Sequence, residues 1–275
     1  MSSSALATPA PMHESQGSRL WRKHRVVILR CLIIICGVAS LELASRLAWI
    51  DPVSFIPPSE MAASAWNMVW EGTYQEDILL TLSSAGLAVL LAMLTGFLFG
   101  LMLYKLPRLR RVLDPLLLSY YAVPIFVFYP MLIVLFGLNR WPLIVLGYLF
   151  ALVAMAVNTL NGLERIPVVL LRTARVLRMG RVQEVWLIKL PASLPFIFTG
   201  IKLTIVYSFI AVIAGEFLLS GAGFGYQIAF AYNNFDNQTM YGLMLLLLLF
   251  VGTINLILHT VEQRLYQRRV LKEAT

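Results

Sequence analysis

The sequence predicts an all-α membrane protein with six transmembrane helices. Three observations carry this. Hydrophobic residues make up 59% of the 275 and charged residues only 13%, which excludes an ordinary soluble domain. Six apolar runs, at about 26–49, 79–104, 115–137, 141–161, 194–219 and 240–262, approach or exceed the ~20 residues that cross a bilayer as a helix. The basic residues gather in short connections, and with six spans every large cluster falls on the same side.

Those clusters set the expected orientation. Arg19, Arg22, Lys23 and Arg25 precede span one, and Lys105, Arg108, Arg110 and Arg111 follow span two. Arg165, Arg172, Arg175, Arg178 and Arg181 follow span four, and Arg264, Arg268, Arg269 and Lys272 follow span six. Only Arg46 and Arg140 lie on the other side, so both termini are expected in the cytoplasm. The net charge of +8 therefore points to membrane topology and away from nucleic acid.

Taken in order, residues 1–25 read as a disordered, basic cytoplasmic tail, rich in Ser, Ala and Pro at its start. Residues 26–265 form the membrane domain, and 266–275 a cytoplasmic C-terminal tail. Span one is long and lacks a small-residue cleavage pattern, so it reads as an anchor. Its Cys31 and Cys36 have neither disulfide nor metal spacing. Glu42 and Arg46 sit four apart on one helix face and can pair. Three prolines follow, and residues 60–78 read as an amphipathic helix, with Met61, Ala65, Met68 and Trp70 available to lie on the membrane.

Gly96 and Gly100 in span two mark a close helix-packing face. Pro124 and Pro130 predict a kinked or broken span three, tolerated where protein or a water-filled cavity covers the loosened backbone. Between spans four and five, residues 166–190 read as two short helices with a break at Gly180, separated from span five by Pro191. Two readings of this loop stand: a basic helix on anionic lipid, or a docking element for a soluble partner. In span five, Lys202 lies near the cytoplasmic end and can snorkel. Glu216 is an intramembrane carboxylate, with a functional role and a helix-packing role both open. The following SGAGFGY lacks the strand–turn–helix context of a dinucleotide site and reads as a tight loop.

No GxxxxGK[ST] phosphate loop is present, and the three histidines (His13, His24 and His259) are scattered. The sequence offers no metal-ligand cluster and no catalytic constellation. Neither ATP hydrolysis nor covalent chemistry is expected of this chain.

Several motifs carry a resemblance. LELASRL followed by FIPPS, RRVLDPLL at 110–117, the Pro124/Pro130 pair, and Asn158-Thr159 with Gly162 are among them. Ile188, Leu190, Pro191 and Pro195, then Glu216, Gly221, Gly223, Gly225 and Tyr226, complete the pattern. Over about residues 40–265 the chain resembles the permease subunits of binding-protein-dependent ABC importers, of the aliphatic sulfonate, taurine, nitrate and thiamine-precursor type. The loop at 166–190 is similar to that family's EAA loop, which docks on the ATPase. Its core departs from the family. Aligned from Pro191, the family's Glu falls on Arg172, its first Ala on Thr173 and its Gly on Arg178, while Ala174 is kept and Gly180 follows two residues later.

The resemblance implies a type I importer permease in the bacterial inner membrane, moving a small polar solute. It implies two copies of an ABC ATPase that carries ATP and Mg, a second permease copy in a homodimer (with a related permease as the alternative), a solute-binding protein, and lipid around the spans. No cofactor or metal on this chain and no nucleic acid are implied. The implied ATPase-docking residues are Leu170, Leu171, Arg172, Thr173, Ala174, Arg175, Leu177, Arg178, Gly180, Arg181 and Gln183. Candidates for the translocation path are Tyr121, Asn158 and Glu216. The alternative is an ATP-independent secondary transporter or channel, which would need mid-membrane coupling carboxylates and an internal repeat.

Overall fold

The computed structural model describes residues 16–51 and 54–273, and all the regular structure among them is helical. The chain divides into two compact units, Met1–Met61 and Ala62–Thr275.

The first unit holds α1 (Gln16–Arg46) and the start of α2 (Pro58–Glu71). The helix α1 begins ten residues before the expected span, so 16–25 is helical where a tail was expected; after Gly17 nothing in this stretch breaks a helix. Residues 1–15 of the expected tail lie outside the described residues. The expected pair forms: Arg46 Nε donates to Glu42 Oε1 at 2.6 Å. Glu42 also accepts the Ser59 hydroxyl at 2.7 Å and its amide N–H at 3.0 Å. The carboxylate thus satisfies one of the free amides in the first turn of α2.

In the second unit, α3 (Gln75–Lys105) is followed by α4 (Pro107–Ser119), two 3-10 turns (Tyr120–Ala122 and Ile125–Phe128) and α5 (Tyr129–Phe136). Then come α6 (Trp141–Glu164), α7 (Val168–Val176), α8 (Arg181–Glu184), a π turn (Val185–Lys189), α9 (Leu190–Leu219), α10 (Phe224–Asn233) and α11 (Asn237–Glu273). Among the described residues, five helical stretches are long and apolar enough to cross a membrane, and a bent pair brings the number to six. That pair is Pro107–Ala122 with Ile125–Phe136, meeting at 89° around Pro124, where span three was expected to break. Most of the expected C-terminal tail is helical. Residues 266–273 continue α11, because QRRVLKE contains good helix formers and no breaker.

The central helix is α6, with 61% of its spanning window buried between α3 and α9. Glycines set the spacing. A Cβ on Gly96 would stand 2.7 Å from the Leu152 carbonyl, and one on Gly100 2.6 Å from that of Ala156. Both obstacles are backbone, which cannot step aside. Gly100→Val is therefore expected to force α3 off α6 and destabilise the bundle by about 1–3 kcal/mol. A melting curve in detergent that matched wild type would refute this.

The helix expected at 60–78 ends earlier, at Glu71, where Gly72 takes a left-handed turn at φ 69°. Its expected membrane face is partly inverted. Met68 packs into the cluster of Phe224, Ile228, Met240 and Leu243, and Ser64 Oγ donates to the Gln238 carbonyl at 3.0 Å. Trp66 and Trp70 are the aromatics left exposed.

Candidate functional site

The loop between α6 and α9 is built from local rules, two of which are broken. Pro167 precedes α7, where a missing N–H costs nothing. Three bonds close the other end of α7: Leu177 N–H to Thr173 O at 3.0 Å, Arg178 N–H to Arg175 O at 3.1 Å, and Met179 N–H to Ala174 O at 3.0 Å. This is a Schellman closure, whose left-handed residue is ordinarily glycine. Here that residue is Arg178, at φ 49°. Gly180, singled out as the break, instead caps α8: its carbonyl accepts Glu184 N–H at 2.9 Å and its N–H donates to Gln183 Oε1 at 3.2 Å. Arg178→Gly is thus expected to stabilise the fold by about 1 kcal/mol by removing left-handed strain. Thermal or denaturant unfolding checks the sign.

The expected separation at Pro191 does not occur. Helix runs unbroken from Arg181 to Leu218. Leu190 N–H bonds to Val185 O, five residues back, so the backbone widens by one π turn just ahead of the proline. Pro191 then falls in the first turn of α9, and the misfit is absorbed without a stop. The loop tip is therefore the first turn of span five. At 1.5 Å per residue, this 38-residue rod is roughly 57 Å long.

The loop displays its apolar and basic side chains. Val176 is 81% exposed, and Leu177 and Val182 are also open, with Arg172, Arg175, Arg178 and Arg181 exposed around them. Leu170, Thr173, Gly180 and Gln183 are exposed too, and Leu171 is half-buried. Ala174 is the exception, at 2% exposure: it turns inward, on the face where α7 meets the π turn. The flanking carboxylates are engaged. Glu164 accepts from Arg110 of α4, and Glu184 pairs with Lys189 at 3.0 Å. Among the described residues, no carboxylate pairs with the four exposed arginines.

The three path candidates do not converge. Opposite Gly215 of α9 stands Leu143 of α6, Tyr207 contacts Phe150, and Gly200 meets Asn158. Glu216, Tyr121 and Asn158 thus sit at three levels of α6, separated by roughly 10 Å and roughly 12 Å. Tyr121 joins an aromatic cluster at the break in span three, 5.6 Å from Tyr207 and 6.0 Å from Phe150 between ring centroids. Asn158 Nδ2 donates to the Ala154 carbonyl of its own helix at 2.8 Å.

Glu216 is fully buried, at 0% exposure, so it lines no open path in this conformation. Its carboxylate stands 2.8 Å from the Thr81 hydroxyl through both oxygens and accepts Gly225 N–H at 3.0 Å. Thr81 Oγ1 accepts Phe224 N–H at 2.9 Å. Asp77, one turn earlier in α3, accepts Gly223 N–H and Gln227 Nε2, both at 2.8 Å. Three successive amides at the start of α10 are thereby satisfied by α3 and α9, and the partial positive charge there favours the buried Glu216 and half-buried Asp77 carboxylates. Gly223, at φ 105°, has no room for a Cβ, which would stand 2.5 Å from the Glu216 carboxyl. Sequence reading missed Thr81, Asp77 and Gln227. The i, i+4 spacing of Asp77 and Thr81 was the available signal.

Among the described residues no group of three metal-ligating side chains comes together. A polytopic helical bundle with one broken span, a glycine-packed central helix and an exposed loop defines an integral membrane protein. The chain belongs to the binding-protein-dependent transport system inner membrane component family, whose model matches residues 88–271. It is 26% identical over 213 residues to a nitrate import permease protein of Leptolyngbya laminosa, covering 74% of this chain and 75% of the relative. It is 27% identical over 197 residues to a taurine transport system permease protein of Escherichia coli K12, covering 70% and 69%. A bicarbonate transport system permease protein of Synechococcus elongatus is 31% identical over 169 residues, covering 61% and 59%. Among solved structures, a chain of the MetNI methionine ABC transporter in inward-facing conformations superposes with a TM-score of 0.61. That match has 19% identity and covers 72% of this chain and 97% of the other, which establishes the shared fold. This chain is thus an ABC importer permease subunit of the inner membrane, a transport component and not a catalyst. Membership implies an ATPase and a solute-binding protein as partners.

Proposed function

We propose that this permease works as a homodimer, that two ATPase subunits carrying ATP and Mg dock on its 166–190 loops, and that a solute-binding protein delivers to the opposite face. Both termini lie in the cytoplasm, following the basic clusters. The supporting observation is the exposed loop, whose α7 ends on the open Val176 and Leu177 and whose second half, from Arg181, is the first turn of the rod that runs to Leu218. Closure of the ATPases on ATP moves the tip, and an unhinged rod carries that movement across the membrane. The access state is then a two-state equilibrium, biased at one end by nucleotide and at the other by the loaded binding protein.

The solute is small and polar. Nitrate and bicarbonate are oxoanions and taurine is a sulfonate, so small oxoanions and sulfonates are the first class to test. Burial of Glu216 against Thr81 and Gly225 supports this class, because its charge does not face a path that an anion would have to use. Tyr121 and its aromatic neighbours at the break in span three, and Asn158 further along α6, are the residues proposed to border the path.

Affinity purification from the native membrane in mild detergent, with mass spectrometry, tests the reading. An ATPase in stoichiometric amount is expected. Recovery of the permease without one, repeated after crosslinking, would overturn it.

A further inference from the structure

We infer that the ATPase groove receiving this loop is acidic: carboxylates of the ATPase face Arg172, Arg178 and Arg181, around an apolar floor that takes Val176 and Leu177. This rests on the docking reading above and specifies the partner's chemistry.

Residues 165–183 contain five arginines and no carboxylate. Arg165 is occupied, with its guanidinium 5.3 Å from the centre of the Phe196 ring. The other four are exposed, and the two flanking carboxylates are already paired elsewhere. Four unneutralised charges on one short loop repel one another, and nothing within the described chain compensates them.

Two of them also break local rules. Arg178 occupies the left-handed closing position of α7, where glycine would be unstrained. Arg181 is the first residue of the rod that runs to Leu218, where the helix dipole disfavours positive charge. Strain and misplaced charge that bring no gain within the fold mark a functional surface. A protein surface bearing carboxylates neutralises the charge at Arg181 and gives the Arg178 guanidinium a partner that offsets the cost of its backbone conformation. Anionic lipid would also answer the charge. Val176, Leu177 and Val182, exposed in the same loop as the arginines, give a groove an apolar floor to take, and discs without anionic lipid separate the two partners. An apolar centre ringed by cations is the anatomy of a protein contact.

The test uses the full permease in nanodiscs of phosphatidylcholine alone, with the ATPase that co-purifies with it. Arg172→Glu is expected to weaken ATPase binding by roughly thirtyfold or more, with Arg172→Lys close to wild type. Arg181→Glu is the control against misfolding. It suits the helix dipole, so its melting temperature should not fall, yet its binding should weaken as well. Arg178→Gly should give opposite signs in one protein, more stable and more weakly bound. Reversing a groove carboxylate of the ATPase to arginine should restore binding to Arg172→Glu.

Equal binding by wild type and the two glutamate variants would overturn the acidic groove while leaving docking intact. The same result would follow if the arginines served only anionic lipid, since these discs contain none. Failure of the wild-type permease to bind any ATPase would instead remove the docking reading itself.

Discussion

Glu216→Ala is expected to abolish transport and to lower bundle stability by about 3–5 kcal/mol. The substitution leaves the Gly225 amide buried without its acceptor, at about 1–3 kcal/mol, while the Thr81 hydroxyl keeps the Asp77 carbonyl at 3.0 Å, and it opens a cavity between α3, α9 and α10 whose cost is the larger part, about 2–5 kcal/mol. That sum is a large fraction of the net stability of a typical fold. Glu216→Gln separates two roles for the residue. If Glu216 anchors α10, the amide keeps one acceptor for the Gly225 N–H but turns its NH2 toward the Thr81 oxygen, which already accepts the Phe224 amide and must give up its own bond to residue 216. Stability should then fall, and protease access to residues 220–236 should rise. If instead its charge faced the solute, the variant would alter which anions are carried and leave the melt unchanged. Thermal unfolding with limited proteolysis, run beside uptake assays in proteoliposomes, distinguishes the two.

Ala174→Glu is the second large effect, in α7 beside the other end of the rod. Ala174 is almost fully buried and its carbonyl accepts the Met179 amide that closes α7. A carboxylate there must either be stripped of water or push α7 away from the π turn, at several kcal/mol in either case. The membrane bundle should remain intact while ATP hydrolysis uncouples from solute uptake. Ala174→Gly, which removes one methyl and adds backbone freedom, should cost about 1 kcal/mol and keep most of the coupling. Transport by Ala174→Glu at the wild-type rate would show that the loop does not transmit the stroke.

Much of the bundle could be read in advance because its causes are local. A run of about 20 apolar residues must be a helix in lipid wherever it packs, since no other backbone arrangement satisfies its own amides. A proline removes a hydrogen bond wherever it lies, so Pro124 announced the break in span three. Gly96 and Gly100 announced a packing face, although only the fold shows that the face meets α6. The same reasoning failed at Pro191. A proline can end a helix or sit in the first turn of one, and a π turn at 185–189 decided for the second. That choice turned an expected separation between loop and span into a continuous rod.

The loop shows the same division. Its basic, apolar-centred composition, and the misfit of Arg172 and Arg178 with the family pattern, are properties of the chain itself. That Arg178 bears the left-handed turn and Gly180 only a cap could not be read from spacing, because either residue could have closed α7.

The sequence alone determined the class of protein, the number and limits of most spans, the break at Pro124 and the basic loop, all consequences of residues within one helix or one turn. The tertiary structure decided the role of Glu216. Its partners, Thr81 and Gly225, lie 135 residues before it and nine residues after it. A carboxylate in an apolar helix announces only that something must satisfy it. Which groups do so, and so whether the charge meets a solute or an amide, depends on how α3, α9 and α10 come together, and no single segment carries that information.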